Sequence, residues 1–215
     1  KYIREALDGI LMQKVNFHYE VVIHDDASPD NTQNIIREYE KKYPDIIKVI
    51  YQAENKYSKG ESAFQYYVDY LIGEYIAICE GDDYWTNPNK LQKQVDFLDK
   101  NPEYIAAAHN VRVINENYEV INEDLHPYKI FHEYIFKRED AFKLKLPSQL
   151  ASIVYRNIWL NLDKKIIKLY NNCKTNGDQK LAVLLTNFGS IYCFKDVMAD
   201  HRKITSHGTS WSARI

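Results

Sequence analysis

Residues 76–88, IAICEGDDYWTNP, run a short apolar stretch into three carboxylates within four positions, Glu80, Asp82 and Asp83, and close on aromatics and a proline. A compact apolar run bounded by turn residues reads as a strand covered on both faces. Like charges crowded at its end repel one another, so a compensating charge or open water must stand beside them. YEVVIHDDAS (19–28) has the same design, with Val21 to Ile23 apolar and Asp25-Asp26 directly after. Two strands ending in acids set the frame for the rest of the chain.

IIKVIY (46–51) reads as a further strand. DNTQNIIREYEKKYP (30–44) places Ile35, Ile36, Tyr39 and Tyr43 at helical spacing, with Asp30 or Asn31 as cap and Pro44 as stop. KYIREALDGILMQ (1–13) carries Ile3, Leu7, Ile10 and Leu11 on one helical face, and ESAFQYYVDYLIG (61–73) reads as a helix ending at Gly73. Pro88 opens another, continued by Leu91, Val95 and Leu98 up to Asn101-Pro102. The first hundred residues therefore alternate helix and strand, the pattern of a mostly parallel sheet with helices on its faces, an α/β fold. Such a fold normally opens on a strand, whereas this sequence opens in a helix; either a preceding strand lies outside it or the sheet is built without one.

Beyond Pro102 the pattern changes. YIAAAHNVRVINENYEVIN (104–122) reads as two strands around a turn at Asn115 to Tyr118, and 123–150 as irregular with a short helical piece near Glu139 to Leu144. DQKLAVLLTNFG (178–189) reads as a helix, SIYCF (190–194) as the last strand and DHRKITSHGTSWS (200–212) as a polar tail. With no internal repeat, a single domain over 1–215 is expected.

A net charge of −2 gives no electrostatic case for nucleic acid. Three cysteines, Cys79, Cys173 and Cys193, show no paired spacing and suit a reduced, cytoplasmic setting. No apolar run approaches the roughly 18–20 residues of a membrane span, which leaves a peripheral place at the inner face of a membrane open.

In open α/β sheets the carboxyl ends of the strands border the ligand crevice. Acids gathered there are tolerated when a divalent cation binds them, and Mg²⁺ or Mn²⁺ commonly takes one or two carboxylates together with substrate phosphates. The plainer reading is that Asp83 or Asn87 caps the next helix or turn. Two acidic clusters on one sheet edge favour the cation.

YEVVIHDDASPDNT, NKYSKGESAFQYYVDYLIGEYIAICEGDDYW and NPNKLQKQVDFLDKNPE, in this order, resemble the nucleotide-binding half of the family 2 glycosyltransferases with the GT-A fold. The resemblance covers residues 1 to about 115 as the nucleotide-binding half, leaving 116–215 as the acceptor side. It implies that Asp25 and Asp26 contact the base and ribose of a sugar nucleotide, UDP by resemblance, and that Lys59 meets base or phosphates. It places ribose and Mn²⁺ or Mg²⁺ contacts on EGDD, with Glu80 and Asp82 on the nucleotide and Asp82 and Asp83 on the metal. Glu80 departs from the family pattern, which usually has Asp there, and the family's first strand is not in this sequence. More weakly, TNGDQKLAVLL resembles the acceptor-side motif whose acid is the catalytic base, which falls on Asp178; a helix N-cap is the alternative. HRKITSHGTSWS resembles a tail closing over the diphosphate, pointing to Arg202 and His207. LKLPSQLASIVYRN (144–157) matches the acceptor-facing stretch, where Ser148 and Gln149 either bond a sugar or simply enter a strand. The function implied is metal-dependent, inverting transfer of a sugar to a glycan or lipid-linked saccharide in bacterial surface polysaccharide synthesis. The alternative is a non-catalytic sugar-nucleotide-binding module or an inactive fragment.

Overall fold

The computed structural model describes residues 1–121 and 129–204. Helix α1 (Ile3–Leu11) turns Ala6, Leu7 and Gly9 inward. Strands β1 (Val21–Asp25) and β2 (Ile47–Tyr51), joined by helix α2 (Thr32–Lys42), pair in parallel, Val21 opposite Ile47 through Asp25 opposite Tyr51. This is the geometry a strand–helix–strand alternation requires. Leu7, Val21, Tyr39 and Ile47 form the small core between these elements.

The main sheet contains β3 (Tyr75–Ala77), β4 (Tyr84–Trp85), β5 (Tyr104–Ile114), β6 (Tyr134–Phe136), β7 (Val154–Arg156) and β8 (Ser190–Arg202), in the order β3-β7-β5-β8-β4, with β6 also on β8. β5 and β8 run parallel over most of their length. The pairs β3–β7, β5–β7, β4–β8 and β6–β8 are antiparallel and short. The expected sheet under helices is present and mixed, but it is not mostly parallel: among the described residues β5–β8 is the one parallel pair of the main sheet, and the parallel β1–β2 pair stands apart from it. β1 pairs only with β2 and β3 only with β7 among the described residues, so the sheet stands in two pieces.

Central β5 is covered on both sides. Ala106 and Ala108 enter a core shared with β7 and helix α7 (Gly177–Leu185), while Ala107 and Val111 enter a second core under helix α4 (Lys90–Lys100). Three consecutive alanines with no exposed surface let these layers approach closely. α4 contributes Leu91, Val95 and Leu98 at the spacing its sequence predicts.

Several expectations are revised. The helix expected over 61–73 is one turn, α3 (Phe64–Tyr67), followed by a 3₁₀ turn at Val68–Tyr70. The expected pair of strands after Pro102 is one strand with a turn and an isolated bridge between Ile114 and Val120. Helix α5 (Arg138–Phe142) lies where a helical piece was expected, whereas helix α6 (Lys164–Asn172) was not foreseen. The last strand continues to Arg202, eight residues past the expected end at Phe194.

Candidate functional site

The loop after β3 turns sharply, with the Asp83 N–H donating to the Glu80 carbonyl at 3.1 Å. Its most buried member is Asp83, 1 % exposed. The Asp83 carboxylate accepts from the Arg202 backbone N–H at 2.8 Å and lies 3.0 and 3.2 Å from His201 Nδ1. Strand β8 therefore clamps the loop from the side, and β4 pairs with β8 just beyond. Asp200 strengthens the clamp: Arg112 of β5 grips it with bonds of 2.9 and 2.6 Å, and the Tyr84 hydroxyl donates to it at 2.6 Å. Such bidentate pairs are directional as well as strong.

The acids beside Asp83 are electrostatically strained. Protein crowding raises the pKa of Glu80, which retains exposed surface, and the Asp83, Asp178 and Asp82 carboxylates raise it further. Asp82 is raised by the same crowding and by Asp83, against the pull of His201 and Arg202. Burial works against a charged His201, yet the Asp83 bond and the Glu80 and Asp82 charges outweigh it and raise its pKa. The cluster is short of positive charge.

Asp178 stands at the start of α7, near enough to feel Asp83 and His201, and crowding raises its pKa. It is not the helix cap. Asn176 holds that position, its side chain accepting from the Asp178 N–H at 3.0 Å. The Asp178 carboxylate is thereby left for another use.

On the other side, Asp25 is buried and accepts from Gln33 Nε2 at 2.7 Å and from the Ser28 N–H at 3.2 Å. Ala27, at φ 57°, supplies the left-handed turn of this loop. Asp26 accepts the N–H groups of Lys56 and Tyr57 at 2.8 and 2.9 Å, capping the 3₁₀ turn Tyr57–Lys59. Lys59 pairs with Glu54 at 2.6 Å. Hydrogen bonds from Lys56 and Lys59 hold the Glu54 carboxyl down at about 2. Helix α3 spans the distance between the two acid groups. His24 stacks on Tyr66 with ring centroids 5.6 Å apart, and Tyr67 is pushed up to about 12 by burial and by Glu80. Lys174, before α7, donates to the Gly60 carbonyl at 3.2 Å and ties the far loop across.

The structure thus gathers Glu80, Asp82, Asp83 and Asp178, with Asp25, Asp26 and Lys59 across α3. Arg202 is corrected. Its guanidinium has no exposed surface and is spent on Glu5 at 2.6 Å and on the Asp82 and Asn115 carbonyls at 3.1 and 3.4 Å, above the Tyr2 ring. It braces the loop and has no face to offer a diphosphate. Asp83 is likewise committed to β8, so Asp82 is the freer ligand. His207 lies outside the described residues. His201 is a site residue the sequence expectations do not include: its ring faces the Asp83 carboxylate, and the alternation of β8 that aims it there lies beyond Phe194, where the expected strand ends.

A divalent cation fits this donor set. Among the described residues no group of three or more His, Cys, Asp or Glu is placed to hold a metal by itself. Mg²⁺ or Mn²⁺ needs only one or two carboxylates when phosphates complete its shell, and mutually repelling acids are what such an ion relieves. Two surface hollows lie elsewhere, one under Lys93, Phe97 and Phe194 and one between Lys129 and Leu146, and neither borders the cluster.

The model of glycosyl transferase family 2 matches residues 1–159. The chain belongs to this family. Among relatives in sequence, an uncharacterized protein of Mycobacterium tuberculosis is 48 % identical over 117 residues, 54 % of this chain and 33 % of that one. The minor teichoic acid biosynthesis protein GgaB of Bacillus subtilis is 23 % identical over 225 residues, 97 % of this chain and 22 % of that one. This chain thus spans a third or less of these relatives. Among solved structures, S. aureus TarS 1-349 in complex with UDP superposes with a TM-score of 0.65 at 19 % identity, covering 94 % of this chain and 56 % of that one. The mannosyltransferase PcManGT from Pyrobaculum calidifontis, in complex with GDP-Man and Mn²⁺, gives 0.61 at 17 %, covering 93 % and 52 %. At such identities the likeness is one of fold.

Proposed function

We propose that this family 2 chain transfers a sugar from a nucleoside diphosphate, with UDP as the nucleotide, to an acceptor hydroxyl in surface polysaccharide synthesis. The observation that carries the reading is the meeting of Glu80, Asp82, Asp83 and Asp178 from two distant segments at one sheet edge. Family membership and the nucleotide-bearing structural neighbours support the donor class.

Asp178 accepts the acceptor's hydroxyl proton as the oxygen bonds the anomeric carbon. The bond from that carbon to the diphosphate oxygen breaks on the opposite face, so configuration inverts. The raised pKa of Asp178 makes it a better base than an ordinary aspartate, and general-base help typically supplies about 10²–10⁴-fold. Asp82, with Asp83 behind it, would hold a divalent cation, which would supply neutralisation of charge on the leaving diphosphate. His201 positions Asp83 through its Nδ1 contact and, when protonated, brings positive charge toward the same region. The loops at Asp25-Asp26 and Lys59 lie on the nucleotide side of α3.

The test pairs calorimetry of UDP, with Mn²⁺ and after chelation, with transfer assays of wild type and Asp178→Asn. UDP affinity is expected to fall sharply on chelation and to survive Asp178→Asn, while transfer drops by about 10²–10⁴-fold in that variant. Equal UDP affinity with and without metal removes the role of Asp82. Near-normal turnover in folded Asp178→Asn removes that of Asp178. UDP binding without any turnover of the wild type identifies a binding module instead.

A further inference from the structure

Helix α6 is the one α-helix among the described residues that buries none of its residues. Its inner side is held by Ile167 and Tyr170, which pack against the main core. Its outer side shows Leu169, 70 % exposed, and Ile166, 42 % exposed, beside the exposed Lys164, Lys165 and Lys168. Leu160, in the 3₁₀ turn just before, is 55 % exposed. From Lys164 to Gly177 the chain carries four lysines and no acid. The acid that opens the helix, Asp163, caps it by accepting the Lys165 N–H at 2.8 Å.

Apolar side chains framed by cations of one sign call for a partner that is anionic at its surface and apolar just beneath. An anionic bilayer has that layering, and a helix combining apolar residues with a basic face lies in its interface. A second copy of the chain fits worse, because a two-fold contact would set these lysines against themselves. We propose that the outer face of α6 docks on an anionic phospholipid bilayer, with Leu169 and Ile166 entering the headgroup boundary and the three lysines meeting lipid phosphates. From α6 the chain runs through Lys174, bonded to Gly60, into Asn176 and Asp178. Docking therefore holds the short segment between α6 and Asp178 close to the bilayer. Resting on the transferase reading, this places the acceptor on a lipid carrier; membrane binding itself stands or falls separately.

Flotation with vesicles of phosphatidylcholine containing phosphatidylglycerol, against phosphatidylcholine alone, tests it. Binding is expected only to the anionic vesicles and to weaken as salt screens the lysines. It should be lost in K164E/K165E/K168E and reduced in Leu169→Ser, with unchanged circular dichroism and UDP affinity. A polarity-sensitive fluorophore on Cys173, the one exposed cysteine, should shift blue with anionic vesicles. Absent binding, equal binding to neutral vesicles, or full binding by the triple variant overturns the proposal. Self-association abolished by Leu169→Ser, without vesicle binding, overturns it in favour of a contact between copies. Loss of turnover with vesicle binding intact would instead count against the transferase reading alone.

Discussion

Lys90 lies fully buried on α4, its Nζ without a hydrogen-bond partner and 4.2 Å from the centre of the Trp85 ring. Burial lowers its pKa to about 7, opposed by Cys79; nearby His109, also buried, is held well below its ordinary value by burial and by the Lys90 charge. An unfolded lysine titrates near 10.4, so between about pH 7 and pH 10 the unfolded chain binds the extra proton and stability rises with pH. The burden of Lys90 is full below that window and relieved above it. Lys90→Met, of similar length and without the amine, should raise the melting temperature more at about pH 6 than at about pH 9. A wild-type-to-variant gap that does not change with pH would show that Lys90 stays charged in the fold across this range, as in the unfolded chain, and that burial does not lower its pKa.

At the scale of elements, the contact of α1 with β4 depends on Gly9. A Cβ there would stand 2.7 Å from the Trp85 carbonyl oxygen and 2.9 Å from its nitrogen, backbone atoms that cannot rotate away. Gly9→Ala should cost about 1–3 kcal/mol in urea unfolding, as overpacking does. Gly177→Ala, whose Cβ would meet nothing within 4 Å, should be neutral or slightly stabilising. The same local-against-distant contrast governs what the sequence disclosed. HDD after VVI, EGDD after IAIC and the LxxxVxxL face of α4 were legible because short apolar runs and their punctuation are local signals. The use of Asp83 was not, because its partners His201 and Arg202 lie 118 and 119 residues away. Arg202 read as an anion binder for the same reason: Glu5, 197 positions distant, claims its charge. Helix α6 escaped notice because KKIIKLYNN follows no apolar face deep enough to be buried, only a capping aspartate and an exposed mixture.

At the scale of the whole fold, the described residues form two sheets of unequal anchorage on three cores. The main core joins β5, β7, β8 and α7 through eighteen buried residues, whereas the β1–β2 piece is held by four. Regions with few buried apolar contacts open at lower free energy than the global transition. In deuterated water, amides of β1 and β2 should therefore exchange before those paired between β5 and β8, and matching rates in both would deny the division. The loops at Asp25-Asp26 and at Lys56-Tyr57 hang from that lighter piece, bound to each other through the Asp26 carboxylate. A ligand seated there would act as ballast: protection would spread through β1 and β2 in proportion to its concentration, leaving the heavier sheet as the internal clock against which occupancy is read.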